Sequence, residues 1–262
     1  MKHEKGFHFL EFPAAAGKAD ALVIILHGHA NHPEMFDTLP ARLQQDWPTA
    51  DVLIVRAPFA LNASDDNKKN KGVAHVDNLY TWHKLEKRAR PHVGLALSRL
   101  FNRVSVVRQL NAFIDAQLHK RHLKDADLAL FGFSMGGAIA IETAARRPQP
   151  CSSVVCHSGF VLPNLRAKSK PDTLMLVGDV DNFFFTRRLT VPAPPGNGRL
   201  KKAFGKAVSK IGFHYDDSIK RLQKAGIPFE QDIIPGLRHT INEESFGKSS
   251  GFISGRLRRR AP

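Results

Sequence analysis

The chain has 262 residues, 42% of them hydrophobic, with 39 Lys and Arg against 24 Asp and Glu for a formal net charge of +15. Such a length and apolar content suit one large α/β domain and exclude wholesale disorder. The longest purely apolar run, residues 21–26, is far too short to cross a bilayer, and the first twelve residues carry charges and histidines where a signal peptide has an apolar core. A cytoplasmic location is therefore expected.

Phe7–Phe12 reads as an edge strand, followed by a small-residue turn at 13–18. Residues 21–26, ALVIIL, form a continuous apolar run, as in a parallel strand covered on both faces. The run ends at His27-Gly28-His29, and the N–H of His29 at such an early strand end is a candidate oxyanion donor. Residues 34–45 read as a helix with Met35, Phe36, Leu39 and Leu43 at helical spacing. Residues 51–55 form another buried strand, and a polar loop spans 62–77. A long helix is expected over 93–123, its apolar stripe carried by Val104, Val107, Leu110, Ile114 and Leu118.

The next stretch organises the rest. Residues 128–131, LALF, read as a strand; Gly132-Phe133-Ser134-Met135-Gly136 follows; residues 137–145 read as a helix. A G-x-S-x-G between a strand and a helix is the nucleophile-elbow pattern, with Ser134 exposed on a strained turn. Glycines at 132 and 136 let strand and helix approach closely. The helix start after the serine offers unpaired N–H groups, with that of Met135 as the second candidate oxyanion donor.

Further strands are expected over 152–156, 172–177 and 229–234, with a helix over 207–225. The alternation of strands and helices predicts a mostly parallel, doubly wound sheet with helices on both faces. Residues 183–206 mix aromatics, Pro, Gly and basic residues and read as an inserted loop. The division expected is one domain over 1–246 and a basic tail over 247–262, frayed at its end. Cys151 and Cys156, five apart, should point to opposite faces and stay free thiols.

A serine nucleophile needs a base, and that base an orienting carboxylate. At the carboxyl ends of later strands, in the order acid then histidine, stand Asp181 and His239, with Asp179 as the rival acid. His157 ends a strand but precedes the acid and is read as a neighbour of the pocket. His75, His83, His92, His119, His122 and His214 read as surface histidines. No His, Cys and Asp cluster has metal spacing, so neither metal nor cofactor is expected. Basic clusters at 68–71, 84–90, 199–210 and 256–260 carry no nucleic-acid signature. They read as solvated surface, with peripheral contact to anionic lipid as the alternative.

With these residues in hand, the chain resembles the phospholipase/carboxylesterase family of α/β-hydrolases, which includes the acyl-protein thioesterases. The resemblance runs from about Leu22 to Phe246 through LHGHAN (26–31), RAP (56–58), YTWHKL (80–85), ALFGFSMGGAIA around Ser134, HSGFVLP (157–163), VGDVD (177–181) and IPGLRHTINEES (234–245). It implies the α/β-hydrolase fold, a triad of Ser134, Asp181 and His239 in which the acid is Asp181 and not Asp179, and oxyanion donors at His29 and Met135. It also implies cofactor-free hydrolysis of carboxylic esters or thioesters, with small esters expected first and lysophospholipids or acylated proteins as the alternative substrates. Trp82, at the position of the family's substrate wall, Phe160 in HSGFVLP and Phe183 in the aromatic run are the candidate substrate contacts. The competing expectation is a non-catalytic basic binding module on the same scaffold.

Overall fold

The computed structural model describes residues 1–61, 79–83, 93–183, 185 and 214–259, with the backbone alone for 93–103. Among the described residues ten strands are seen: β1 (Lys2–Glu4), β2 (Phe7–Phe12), β3 (Ala21–Leu26), β4 (Ala50–Val55), β5 (Phe59–Leu61), β6 (Leu79–Thr81), β7 (Leu128–Phe133), β8 (Ser153–His157), β9 (Asp172–Gly178) and β10 (Phe229–Ile234). The α-helices among the described residues are α1 (Leu39–Asp46), α2 (Val93–Arg121), α3 (Met135–Ala145), α4 (Tyr215–Ala225) and α5 (Glu243–Arg258). Eight strands build one sheet in the order β1-β2-β4-β3-β7-β8-β9-β10, while β5 and β6 pair separately. From β4 to β10 every pairing is parallel; β2 is antiparallel to both β1 and β4.

Residues of β3 divide the core between the two faces. Leu22, Ile24 and Leu26 join one apolar cluster with Val107, Leu110 and Ile114 of α2, Ile139 of α3 and Leu222 of α4. Ala21, Val23 and Ile25 join another with Leu43 of α1 and Phe246, Ile253 and Leu257 of α5. A strand with helices on both sides has no wet face, and β3, β7 and β8 are buried throughout. After β3 the chain steps to β4 on one side and later to β7 on the other. A crevice for ligand opens at such a reversal, at the strands' carboxyl ends. Here those ends are His27-Gly28-His29 and Ser134.

Several expectations are corrected. Phe7–Phe12 is not the edge: β1 hairpins back onto it, with Lys5 and Gly6 at positive φ (48° and 83°) making the tight return. The helix expected over 34–45 is two pieces, a 3₁₀ turn at Pro33–Phe36 and then α1, with Pro40 in the first turn of α1. A proline there suits a helix start and cannot donate within a continuous helix. Val104 of the predicted α2 stripe is exposed, whereas Val106 and Phe113 are buried. Cys151 and Cys156 are thiols outside any disulfide but share one core layer, because Cys151 precedes β8 and the strand alternation does not reach it.

The segment expected as a tail is helical to Arg258. Phe246, Ser249, Ser250, Ile253 and Leu257 recur at three- and four-residue steps and are buried. The serines blur that period in the sequence, yet their hydroxyls are satisfied: Ser249 donates to the Ser245 carbonyl at 2.8 Å and Ser250 to Asp46 at 2.6 Å. Arg256 pairs with Asp172 at 2.8 Å and with Glu230, tying α5 to β9 and β10. The inserted loop expected at 183–206 and the clusters at 68–71, 84–90 and 199–210 lie outside the described residues, apart from Phe183 and Phe185.

Candidate active site

Ser134 follows β7 at the N-cap position of α3 with φ 55° and ψ −119°, a backbone conformation strained for any residue but glycine. Bulk around it is forbidden by contact. A Cβ on Gly136 would overlap the Leu26 carbonyl, and one on Gly132 would overlap the Gly136 backbone. The elbow is thus wedged between β3 and its own helix. Its N–H donates to the His157 carbonyl at 2.9 Å, which pins the turn to β8.

His239 meets the serine from the loop after β10. Its Nε2 lies 3.0 Å from Ser134 Oγ, and its Nδ1 lies 2.8 Å from Asp181 Oδ2. Asp181 is fully buried, so its carboxylate is best served as an acceptor, which places a proton on Nδ1 and leaves Nε2 to accept from the serine. The other carboxylate oxygen accepts the Phe183 N–H at 2.8 Å. Asp179, the rival acid, points elsewhere: its Oδ1 accepts the Gly236 N–H at 2.7 Å and shapes the turn that delivers His239. Gly178 permits this loop to close down, since a Cβ there would overlap the Leu237 carbonyl. The His239 ring lies between Phe133, at 5.0 Å between ring centres, and Phe183, at 4.6 Å.

The opposite wall is the turn after β3. A Cβ on Gly28 would come within 3.3 Å of Ser134 Cβ, so this turn abuts the nucleophile. The His29 ring Nδ1 is 2.9 Å from Thr81 Oγ1, and Thr81 in turn reaches Met135 Sδ at 3.7 Å. Met135 opens α3, so its N–H has no acceptor within the helix.

Not every expected site residue lines the crevice. Trp82 is fully buried and donates from Nε1 to the His27 carbonyl at 2.8 Å, so it supports the turn from beneath instead of forming a substrate wall. Phe160 is 8% exposed, packed with Ala138 and Leu162. Phe183 is 51% exposed beside His239. His157 is buried among the rings of Phe131 and Phe133, and its pKa falls to about 3, first through burial and then through His239. His214 is no surface histidine: it caps α4 through Nδ1 and contacts the Phe185 carbonyl through Nε2 at 2.6 Å. His75 and His92 lie outside the described residues. No group of three or more metal-binding side chains occurs among the described residues. No helix among them is long and apolar enough to cross a membrane.

Residues 82–177 match the family model described as Phospholipase/Carboxylesterase. The match lies in the central segment of the chain. It contains Ser134 and both glycines of the elbow and ends before Asp181 and His239. The chain is thus a hydrolase of the carboxylesterase and phospholipase type, on the α/β-hydrolase fold. Among solved structures, esterase PE8 superposes with a TM-score of 0.69 at 23% identity, covering 95% of this chain and 98% of its own. SOBER1 of Arabidopsis thaliana superposes at 0.62 and 17% identity, over 90% of this chain and 99% of its own. The carboxylesterase of Bacillus cereus gives 0.62 at 13%, over 95% and 94%. Those likenesses carry the fold. No curated protein matches the chain.

Proposed function

We propose that this hydrolase cleaves carboxylic esters or thioesters through an acyl-enzyme, with Ser134 as nucleophile, His239 as general base and acid, and Asp181 as the orienting carboxylate. One observation carries the reading: a single imidazole reaches Ser134 Oγ at 3.0 Å and Asp181 Oδ2 at 2.8 Å. A serine hydroxyl becomes nucleophilic when a base takes its proton as it attacks. Ser134 Oγ attacks the acyl carbon while His239 Nε2 accepts the proton. The negative charge on the carbonyl oxygen is met by the N–H groups of His29 and Met135, reinforced by the positive end of α3. Collapse expels the alcohol or thiol, protonated by His239. Water then attacks the acyl-serine with His239 as base, releasing the carboxylic acid.

Small esters are the favoured substrates. The leaving group must stand beside the imidazole that protonates it, and Phe183 offers an exposed apolar ring at that place. Esters of apolar or aromatic alcohols fit this face. The test compares wild type with Ser134→Ala on p-nitrophenyl acetate and butyrate and on the matching thioesters, with fluorophosphonate labelling of the serine alongside. Turnover and labelling should vanish together in the variant. Undiminished turnover in pure mutant protein would refute the reading.

A further inference from the structure

Asp181 starts a short turn that also carries Phe183, and both ends of that turn are held. At the first end the Asp181 N–H donates to the Gly178 carbonyl at 3.1 Å, which ties it to β9. Within the turn the Phe183 N–H reaches Asp181 Oδ1 at 2.8 Å, and the Phe185 N–H donates to the Asp181 carbonyl at 3.3 Å. At the second end the partner comes from the start of α4. His214 Nε2 lies 2.6 Å from the Phe185 carbonyl oxygen, 29 residues away in the chain. The His214 ring also stacks on that of Phe185, at 6.3 Å between centres and 23° between planes. Tyr215 packs against the same phenyl ring at 5.8 Å, and its hydroxyl donates to the Met175 carbonyl of β9 at 3.1 Å.

The direction of the His214 bond follows from the helix it opens. His214 is the N-cap of α4, and its Nδ1 accepts the Asp216 N–H at 3.2 Å. A nitrogen that accepts carries no proton, so the neutral ring holds its proton on Nε2 and donates it to the Phe185 carbonyl. One imidazole thus serves an orphan N–H of the helix start and a carbonyl of the active-site turn. What the turn presents to the crevice is the Phe183 ring, 51% exposed and 4.6 Å from the ring of His239. We infer that His214 is a positioning residue for specificity: its Nε2–H bond to the Phe185 carbonyl holds the Phe183 ring beside His239, where that ring selects esters with apolar leaving groups. The inference rests on the proposed acyl transfer and on the place given there to Phe183.

Two substitutions separate the ring's two bonds. In His214→Asn the side-chain oxygen takes the place of Nδ1, so the cap is kept while the reach to Phe185 is lost. In His214→Gln the amide nitrogen takes the place of Nε2, so the donor to Phe185 is kept while the cap is lost. Both proteins, with wild type and Phe183→Ala, are assayed for kcat/KM on benzyl butyrate and ethyl butyrate and for melting temperature. The acyl group is common to the two esters, so the benzyl-to-ethyl ratio reads the leaving-group side alone. The ratio should fall by about 3- to 10-fold in Phe183→Ala, the worth of one aromatic contact. It should fall alike in His214→Asn, at a melting temperature near that of wild type. In His214→Gln the melting temperature should drop by about 2–4 °C while the ratio stays within about two-fold of wild type. Equal ratios in the Asn and Gln proteins would overturn the inference, as would a wild-type ratio in Asn beside a lowered one in Phe183→Ala. Should the Asn protein fail to fold, His214→Ser, another cap without the reach, decides in its place by the same ratio. An unchanged ratio in Phe183→Ala would overturn the inference together with the leaving-group reading. A wild type that is inactive and unlabelled by fluorophosphonate would refute the hydrolase reading, and the inference with it.

Discussion

The two walls of the crevice are built in different ways. On the β9–β10 side, side chains touch side chains: Asp181 holds His239, and His239 holds Ser134. On the β3 side the candidate donors are backbone N–H groups, and the buried side chains of His27 and Trp82 hydrogen-bond to the backbone of the same turn. Chemistry-bearing groups must be of particular types at particular strand ends. Groups that hold a backbone in place need only supply one hydrogen bond from anywhere in the fold.

Breaking the first wall should produce the largest effects. Ser134→Ala should lower kcat by about 10⁵- to 10⁶-fold, with His239→Ala close behind, because the residues act as a unit. Asp181→Asn should cost about 10⁴-fold, since the amide no longer fixes the Nδ1–H tautomer. Asp179→Ala sharpens the contrast. It removes one acceptor from the Gly236 turn, about 1–2 kcal/mol of stability, and should leave kcat within ten-fold of wild type in p-nitrophenyl butyrate assays. If the two aspartates exchanged these effects, the assignment of the acid would reverse.

That contrast explains how far the sequence could be read. The elbow was legible because strand, glycines, serine and helix are contiguous, and His239 and Asp181 because each follows a clear apolar strand. Choosing Asp181 over Asp179 from position alone was not possible: the two lie two residues apart, and the bond that Asp179 accepts from the Gly236 N–H shows what the first is for. Trp82 is marked as a substrate contact only by the family resemblance of its segment, and nothing in the neighbouring residues shows that its ring is fully buried against the His27 carbonyl. His27 carried no signal beyond its place before Gly28, since its partner Ala57 is thirty residues away and donates from backbone. The helical nature of α5 was hidden by serines that are polar by composition but hydrogen-bonded within the helix.

A pH experiment probes the buried imidazoles of both walls. His27 and His157 are held neutral in the folded chain, at pKa values of about 4 and about 3, against an ordinary value of 6.5. Between pH 6.5 and those values the unfolded chain binds more protons than the folded one. Stability is therefore retained above pH 6.5 and is lost as the pH falls, by up to about 1.4 kcal/mol per pH unit for each histidine. In His157→Leu the fall in melting temperature between pH 6.5 and 4 should be visibly shallower than in wild type. An identical slope would mean that His157 takes its proton without unfolding the chain.

The smallest effect should come from the end of the His239 loop, where α5 begins four residues after His239. Asn242 caps this helix by accepting the Ser245 N–H at 2.8 Å, and Ser245 Oγ accepts the Asn242 N–H in return at 3.0 Å. Removing such a cap costs about 1 kcal/mol. Asn242→Ala should thus lower the denaturation midpoint modestly. The buried Phe246, Ile253 and Leu257 and the Arg256 pairs keep α5 in place without the cap, so the His239 loop stays seated and kcat should change by less than about three-fold. A large loss of kcat at an unchanged midpoint would show that the start of α5, and not the Asp181 and Asp179 contacts alone, sets where the imidazole stands.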